Sequence, residues 1–166
     1  MNKLNLKDYC ILAVFGALLV AGKEAMAIIP NVEIVSLLLI IITYKYGIYA
    51  LIPTYIFAVS EVLLYGFGTW SISYLYVWDF LIIAELLLKK VQLPVVHATA
   101  AGVFGMLFGT LCGIQYLFVG GISMAAAWIA SGLLFDIIHG VSNFLIVMLL
   151  YSPLKNAVDK ILKIRN

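Results

Sequence analysis

Charged residues are scarce in this sequence. They make up 11% of its 166 residues, whereas hydrophobic residues make up 65%. Soluble domains have about a quarter of their residues charged and about half apolar. The composition therefore excludes an ordinary soluble domain and is typical of a protein embedded in a lipid bilayer. At about 20 residues for each membrane-spanning helix, the chain has room for one domain of roughly six helices.

Sequence signals of catalysis are also missing. No HExxH, no GxSxG and no glycine-rich phosphate loop followed by Lys-Ser/Thr occurs. The two cysteines, Cys10 and Cys112, form no CxxC or Cys/His metal pattern, and we expect both to be buried thiols. We therefore expect neither an enzyme nor a resident cofactor or metal, and without a nucleotide-binding module the chain cannot hydrolyse ATP by itself.

The apolar runs predict six membrane-spanning helices. Their approximate bounds are 7–28, 32–44, 47–65, 73–88, 94–117 and 123–151, followed by an amphipathic tail over 153–166. The second predicted helix is too short to cross a bilayer upright, so we expect it to tilt or to be partly re-entrant. The first run ends in Lys23-Glu24 rather than in a small-residue cleavage site, so we expect no cleavable signal peptide.

Basic residues give this arrangement a predicted orientation. With six spans, nine of them fall on one side: Lys3, Lys7, Lys45, Lys89, Lys90, Lys155, Lys160, Lys163 and Arg165. Cytoplasmic loops carry an excess of Lys and Arg, so both termini are predicted to be cytoplasmic. The cations of the tail suit anionic lipid headgroups rather than nucleic acid. Lys23 is the basic residue that this rule leaves unexplained.

Several polar residues are predicted at membrane depth, where an ionised side chain costs about 2.5–3.5 kcal/mol on insertion scales. Glu61 and Asp79 lie in the third and fourth predicted helices. In the sixth, Asp136 and His139 share one face with Trp128. These residues point to the bundle interior or to a cavity, although Asp136 and His139 could equally be a self-satisfied pair that only locks helices together.

Aromatic residues crowd around one predicted outer loop, namely Tyr65, Trp70, Tyr74, Tyr76 and Trp78. Such residues could form the interfacial belt common in membrane proteins. A belt would be shared by both membrane faces, however, and the inner predicted loops have almost no Trp. The asymmetry favours an aromatic-lined pocket that opens outward.

Small residues on two predicted helices allow close helix packing. Ala13, Ala17 and Ala21 recur every four residues and form a flat ridge on the first helix. This ridge could pack within the chain or dock a partner, and the residues alone leave both readings open. Glycines at 105, 109 and 113 form a similar line on the fifth helix, which we expect to pack within this bundle.

Together these features resemble the substrate-binding S components of energy-coupling factor (ECF) vitamin transporters. The resemblance rests on Ala13-x-x-x-Ala17, on "PNVEIVSLL", on "YGFGTWSISYLYVW" and on "GLLFDIIHGVSNF". It implies an all-α six-helix membrane protein in the plasma membrane of a prokaryote. Such a protein binds one vitamin at its outer side and docks through the ridge of its first helix, here Ala13, Ala17 and Ala21, onto a transmembrane T subunit powered by two ATP-binding A subunits.

The resemblance implies a location for the ligand but not its identity. Within that location we predict these substrate-binding residues: Lys23, Glu33, Glu61, Tyr65, Trp70, Tyr74, Trp78, Asp79, Trp128 and Asp136. The aromatic rings would enclose the ligand, Lys23 would meet a carboxylate, phosphate or amide oxygen, and the acids would accept hydrogen bonds or pair with Lys23. The long aromatic strip favours a cobalamin-type ligand, with pantothenate, riboflavin or a pyridoxine-like compound as alternatives.

Two other functions compete with this one. The chain could be a stand-alone proton-coupled transporter that uses Asp136 and His139 as a relay, or a membrane scaffold with no ligand. Lys23 and Glu24 also have a plain explanation, a local ion pair in a water-facing hairpin.

Overall fold

The computed structural model describes residues 4–163, and within that range the protein is 87% helix and has no strands. Four continuous helical segments are long and apolar enough to cross a membrane: Leu6–Met26, Val35–Tyr65, Thr69–Leu88 and Pro94–Leu162. The all-helical prediction is therefore confirmed. These segments also indicate a membrane protein.

Short irregular turns divide these segments into shorter elements. They are α1 (Leu6–Met26), α2 (Val35–Tyr46), a 3-10 helix (Gly47–Ala50), α3 (Leu51–Tyr65), α4 (Thr69–Tyr74) and α5 (Val77–Leu88). The remaining helical segment, Pro94–Lys163, loses helical backbone geometry at Gly120 and Gly121, and Gly121 has a positive φ of 71°. This glycine turn separates α6 (94–119) from α7 (122–163).

The centre of the bundle is α2. Every residue from Val35 to Thr43 is buried, as expected for a helix that is apolar on all sides. It begins three residues later than predicted, because Asn31 takes a positive φ of 58° in the turn and the Glu33 carboxylate accepts the Ser36 amide at 2.8 Å. Because α2 packs against α1, α5 and the Pro94–Lys163 segment, the elements that carry the site described below meet around it.

Glycines bring two helix pairs together. A Cβ on Gly16 of α1 would lie 2.7 Å from the Ile56 side chain of α3, and one on Gly105 of α6 would lie 2.8 Å from the backbone of Gly140 on α7. Real side chains almost never approach so closely, so both contacts need glycine. The expectation that the α6 glycines pack within the bundle is confirmed at Gly105 and at Gly109, which faces Asp136.

Two predicted boundaries were wrong. The stretch before Ser73 was predicted as a loop, but α4 begins at Thr69, where the Gly68 amide donates to Ser71 Oγ at 3.1 Å. The predicted break before a separate tail at Pro153 is also absent, since α7 continues through Pro153 to Lys163.

Packing explains why α7 tolerates its proline. Pro153 removes one backbone donor, but Leu154 and Val158 pack on the core, and Lys45 pairs with Asp159 at 2.9 Å. The last three predicted tail residues lie outside the described part of the chain. Cys112 is buried as expected, whereas Cys10 is exposed in an open apolar groove between α1 and the end of α7.

Candidate functional site

A cavity of about 390 Å³ lies between the end of α1, the α1–α2 connection, α3, α5 and α7. Five predicted site residues line it: Lys23, Glu33, Tyr65, Tyr74 and Trp78. Its wall also includes Met26, Asn31, Phe57, Phe108 and His139. The volume falls in the range of about 300–1,000 Å³ that is typical of small-molecule pockets.

Lys23 is the centre of an ion-pair cluster at one side of the cavity. Its Nζ lies 2.6 Å from Glu61 Oε2 and 2.9 Å from Glu24 Oε1. It also lies 3.9 Å from the centre of the Tyr65 ring, whose hydroxyl donates to Glu24 at 2.6 Å. The plain Lys23–Glu24 pair is therefore present, but it is extended by Glu61, which is 2% exposed and comes from α3.

Aromatic rings in mutual contact form the apolar wall of the cavity. Tyr74 lies 5.9 Å from both Phe57 and Trp78, measured between ring centres, and Trp78 lies 5.4 Å from Phe108. Trp70 extends the cluster through an edge contact with Tyr74 at 5.2 Å. Mutual contact holds these rings in place, which suits a surface on which a ligand stacks.

Glu33 and His139 join the α1–α2 connection to α7. His139 Nε2 lies 3.3 Å from Glu33 Oε1, while Glu33 Oε2 accepts the Ser36 amide. The connection is held a second time by Ser142, whose hydroxyl donates to the Asn31 carbonyl at 2.8 Å. Asn143 Nδ2 donates to Ser36 Oγ at 3.1 Å and so ties α7 to α2. One polar side of the cavity is therefore fixed by hydrogen bonds between elements.

Three buried polar atoms at or beside the cavity lack a hydrogen-bond partner within residues 4–163. They are Trp78 Nε1, His139 Nδ1 and Glu61 Oε1, on side chains that are each 4% exposed or less. Leaving a buried polar group unpaired costs about 1–3 kcal/mol. Trp78 and His139 line the cavity, so a bound molecule could satisfy their ring nitrogens.

The structure places three predicted site residues away from this cavity. Asp136 accepts the Gly109 amide at 2.9 Å, and Trp128 donates to the Gly109 carbonyl at 3.1 Å. Both residues therefore bind α7 to α6. Asp79 accepts a hydrogen bond from Tyr55 at 3.1 Å, between α5 and α3. We leave these three residues out of the proposed site.

The sequence interpretation missed several cavity residues. Phe57 and Phe108 lie inside apolar runs, where neither charge nor spacing distinguishes them from ordinary core residues. His139 was noticed, but as a partner of Asp136 rather than of Glu33. Its signal was that a histidine in the middle of an apolar helix needs a polar neighbour.

The alanine ridge of α1 lies on the outside of the molecule. Ala13, Ala17 and Ala21 are all exposed, and the neighbouring Val14 and Leu18 are 58% and 45% exposed. Gly16, next to the ridge, packs on α3, and on the other side of the ridge Val14 and Leu18 line an apolar groove of about 350 Å³ with Leu154 and Ile161 of α7.

A larger groove of about 530 Å³ lies between α5 and α6, but its chemistry differs. Thr99 is the polar side chain in its wall, and the Thr99 hydroxyl donates to the Val95 carbonyl of its own helix. With exposed Phe80 and Leu107 beside it, this groove suits lipid chains better than a polar solute. Among the described residues, no group of three or more His, Cys, Asp or Glu could hold a metal ion.

Comparison with known proteins finds no match to a protein-family model, to a curated protein or to a solved structure.

Proposed function

We propose that the chain is a substrate-binding membrane subunit of the ECF S-component type, which captures a small organic nutrient at the outer side of the membrane. The observation that carries this proposal is the 390 Å³ cavity, because five independently predicted site residues line it and Glu61 and Trp70 adjoin it. The cavity also has the mixture of aromatic walls and a few polar atoms that small-molecule sites need.

The proposed membrane arrangement has six crossings, formed by α1, α2, α3 with its 3-10 turn, α4 with α5, α6 and α7. Lys45 and Lys155 support one orientation, since they lie beside Asp159 and Tyr44 at the end of the bundle away from Lys23. With that end in the cytoplasm, the cavity opens outward. The helix α7 runs roughly 60 Å at 1.5 Å per residue, so its last turns extend beyond the bilayer.

The exposed alanine ridge supports the proposed docking onto a transmembrane T subunit with two ATP-binding A subunits. Small residues let another helix backbone approach closely, which drives helix association in membranes. A ridge used for packing within the chain would be covered by another helix, and Ala13, Ala17 and Ala21 are exposed instead.

The size of the cavity changes the order of the proposed ligands. A volume near 390 Å³ belongs to the lower part of the range for small-molecule sites. A corrinoid is far larger than such a space, so we place a compact, pyridoxine-sized or pantothenate-sized compound ahead of cobalamin and riboflavin.

The test of this function is assembly and uptake. We expect the chain to co-purify with T and A subunits of its host and to support uptake that stops when ATP is depleted. Ala13→Trp combined with Ala17→Trp should abolish co-purification while leaving the cavity intact. Leu134→Trp is the matched control, since Leu134 is 67% exposed on α7. Unchanged assembly and uptake in the double variant would contradict the docking proposal.

A proton-coupled transporter remains the second candidate, but with different residues. Asp136 is committed to Gly109, and His139 contacts Glu33 across the cavity wall. A relay would therefore use Glu33 and His139. Uptake that follows a pH gradient and survives ATP depletion would favour this candidate over the importer subunit. If no compound stabilises the purified protein and no subunit co-purifies with it, a scaffold becomes the better explanation.

A further inference from the structure

The cavity, taken with the residues that bind its wall, has an excess of negative charge. Glu33 lines the cavity, and Glu24 and Glu61 contact the lining residue Lys23, so three carboxylates stand against a single ammonium. That ammonium is already bound by two of the carboxylates and by the Tyr65 ring. The formal balance is therefore two negative charges with neutral His139, or one if the imidazole is protonated.

This charge balance argues against the role predicted for Lys23, which was to bind a carboxylate, phosphate or amide oxygen of the ligand. A lysine that binds an anionic ligand needs free donors, whereas the Lys23 ammonium lies within 3 Å of two carboxylates. Breaking the Glu61 contact to receive an anion would leave a buried carboxylate without its partner, which is costly, and the partly exposed Glu24 carboxylate already occupies a second position on the ammonium. Lys23 therefore offsets part of the negative charge and does not attract a carboxylate or phosphate.

The aromatic wall adds a second attraction for positive charge. The faces of Tyr, Trp and Phe rings carry negative potential and attract cations within about 6 Å of the ring centre. Lys23 already uses the Tyr65 ring in this way. Tyr74, Trp78 and Phe57 offer further rings in the same wall, in contact with one another.

The unpartnered atoms supply independent support. Because a carboxylate only accepts hydrogen bonds, the His139 Nε2–H is the group that faces Glu33, which leaves Nδ1 of the neutral ring as an acceptor. Glu61 Oε1, beside the cavity, is a second acceptor without a partner among the described residues, and Trp78 Nε1 is a donor. The His139 acceptor and the Trp78 donor belong to lining residues, and together with the Glu33 carboxylate in the same wall they match a ligand that has N–H donors and at least one acceptor.

We propose that this cavity binds a compact organic cation, either an ammonium or a protonated nitrogen heterocycle. The positive charge lies against the Trp78 and Tyr74 rings, its N–H groups donate to His139 Nδ1 and Glu33, and an acceptor of the ligand meets the Trp78 N–H. The proposal rests on the function given above, and it names the ligand class of the same cavity.

The test uses three compounds with one ring and different charges. Pyridoxamine is cationic at neutral pH, pyridoxine is neutral overall and 4-pyridoxate is anionic. We expect pyridoxamine to bind the purified, detergent-solubilised protein at least tenfold more tightly than 4-pyridoxate, with pyridoxine between them, by isothermal titration calorimetry. Equal affinities, or a preference for the anion, would overturn the proposal.

Two variants test whether the charge of the cavity, rather than a general change in the protein, determines affinity for the cation. Glu33→Gln keeps the shape and removes one negative charge, so it should weaken pyridoxamine about tenfold and pyridoxine much less. Asp79→Asn, an acid away from the cavity, should leave both affinities unchanged. If Glu33→Gln affects the two compounds equally, the charge argument is wrong.

Failure of this inference can be told apart from failure of the function. Mass spectrometry of small molecules released from the purified protein identifies the native ligand. If the importer assembles but the released compound is anionic or uncharged, the proposal of a cationic ligand is wrong and the proposed S-component role stands. The same holds if none of the three compounds binds at millimolar concentration while assembly is normal. Absence of both partners and released ligand would overturn both proposals.

Discussion

The two histidines of this chain have similar surroundings but differ in how completely their ring nitrogens are engaged. Both are buried, and each faces a glutamate on another part of the chain. His97 has both nitrogens engaged, at 2.6 Å from Glu85 and 3.1 Å from the Val91 carbonyl, and its ring stacks on Tyr151 at 4.5 Å. His139 holds Glu33 more loosely, at 3.3 Å, and its Nδ1 has no partner within the described residues.

This difference distinguishes a structural pair of residues from one in the proposed binding site. The His97–Glu85 pair is closed in the sense that both ring nitrogens are engaged and neither side chain lines a cavity described above, although Glu85 Oε1 has no partner among the described residues. The His139–Glu33 pair is open, since both side chains line the 390 Å³ cavity. Burial, a charged partner and one unpaired buried atom are thus common to both pairs, and the position of the unpaired His139 nitrogen at the cavity is what points to a ligand.

The largest loss of stability is expected when the His97–Glu85 pair is broken. His97→Ala removes two hydrogen bonds and a stacked ring and leaves Glu85 buried without its partner. We expect a loss of about 3–5 kcal/mol in unfolding free energy. Thermal unfolding in detergent measures it, and any variant protein that folds should bind ligand normally. A shift no larger than that of an exposed substitution such as Leu149→Ala would contradict the structural role.

Lys23 should have the next largest effect, because its removal leaves Glu61 buried and unpaired. Lys23→Met is expected to cost about 2 kcal/mol, less than at His97 since the Lys23 side chain is 26% exposed. Adding Glu61→Gln should recover most of that loss, which a double-mutant cycle of unfolding free energies measures. Simple addition of the two single effects would show that the pair is not coupled.

His139→Ala should affect ligand affinity more than stability, whereas His97→Ala should affect stability alone. The ring makes one long hydrogen bond, so we expect a stability loss of about 1 kcal/mol. Ligand affinity should fall about tenfold, because the unpaired acceptor is removed from the cavity. Calorimetric titration with the released native ligand, beside thermal unfolding, gives both numbers. If stability falls as far as in the His97 variant and affinity does not change, the proposed distinction fails.

The smallest effect is expected for Trp78→Phe. The substitution keeps an aromatic ring in the wall and removes the unpartnered N–H, so stability should change by less than about 1 kcal/mol. Affinity for a ligand with a hydrogen-bond acceptor should fall about threefold. Phe104→Leu, an apolar change behind the same ring, is the control, and an equal loss of affinity there would show that packing rather than the N–H is responsible.

Sequence patterns predicted the helices well, because hydropathy is a property of each segment and needs no knowledge of its neighbours. They also located Lys23, Glu33, Tyr74 and Trp78, since a charge or an aromatic cluster near a predicted helix end is conspicuous in an apolar chain. The same reasoning explains the error at Pro153, where packing of Leu154 and pairing of Lys45 with Asp159 outweigh a local helix-breaking signal.

The remaining site residues could not be found in this way. Periodicity placed Trp128, Asp136 and His139 on one side of a helix, but it does not say which helix lies opposite. The backbone of Gly109 on α6 forms hydrogen bonds with Trp128 and Asp136. His139, further along the same side of α7, lines the cavity instead. Which partner each residue meets depends on tertiary contacts between distant segments.

One helix, α1, belongs to both of the surfaces for which we propose a function. Ala17 on the outside of α1 and Lys23 in the cavity wall are six residues apart, roughly 9 Å along one helix. Because the Lys23–Glu61 pair fastens that helix to α3, a partner that tilts α1 relative to α3 would strain this pair and change the width of the cavity. Under the proposed function, docking of the partner would therefore time the release of the ligand without any separate signal between them.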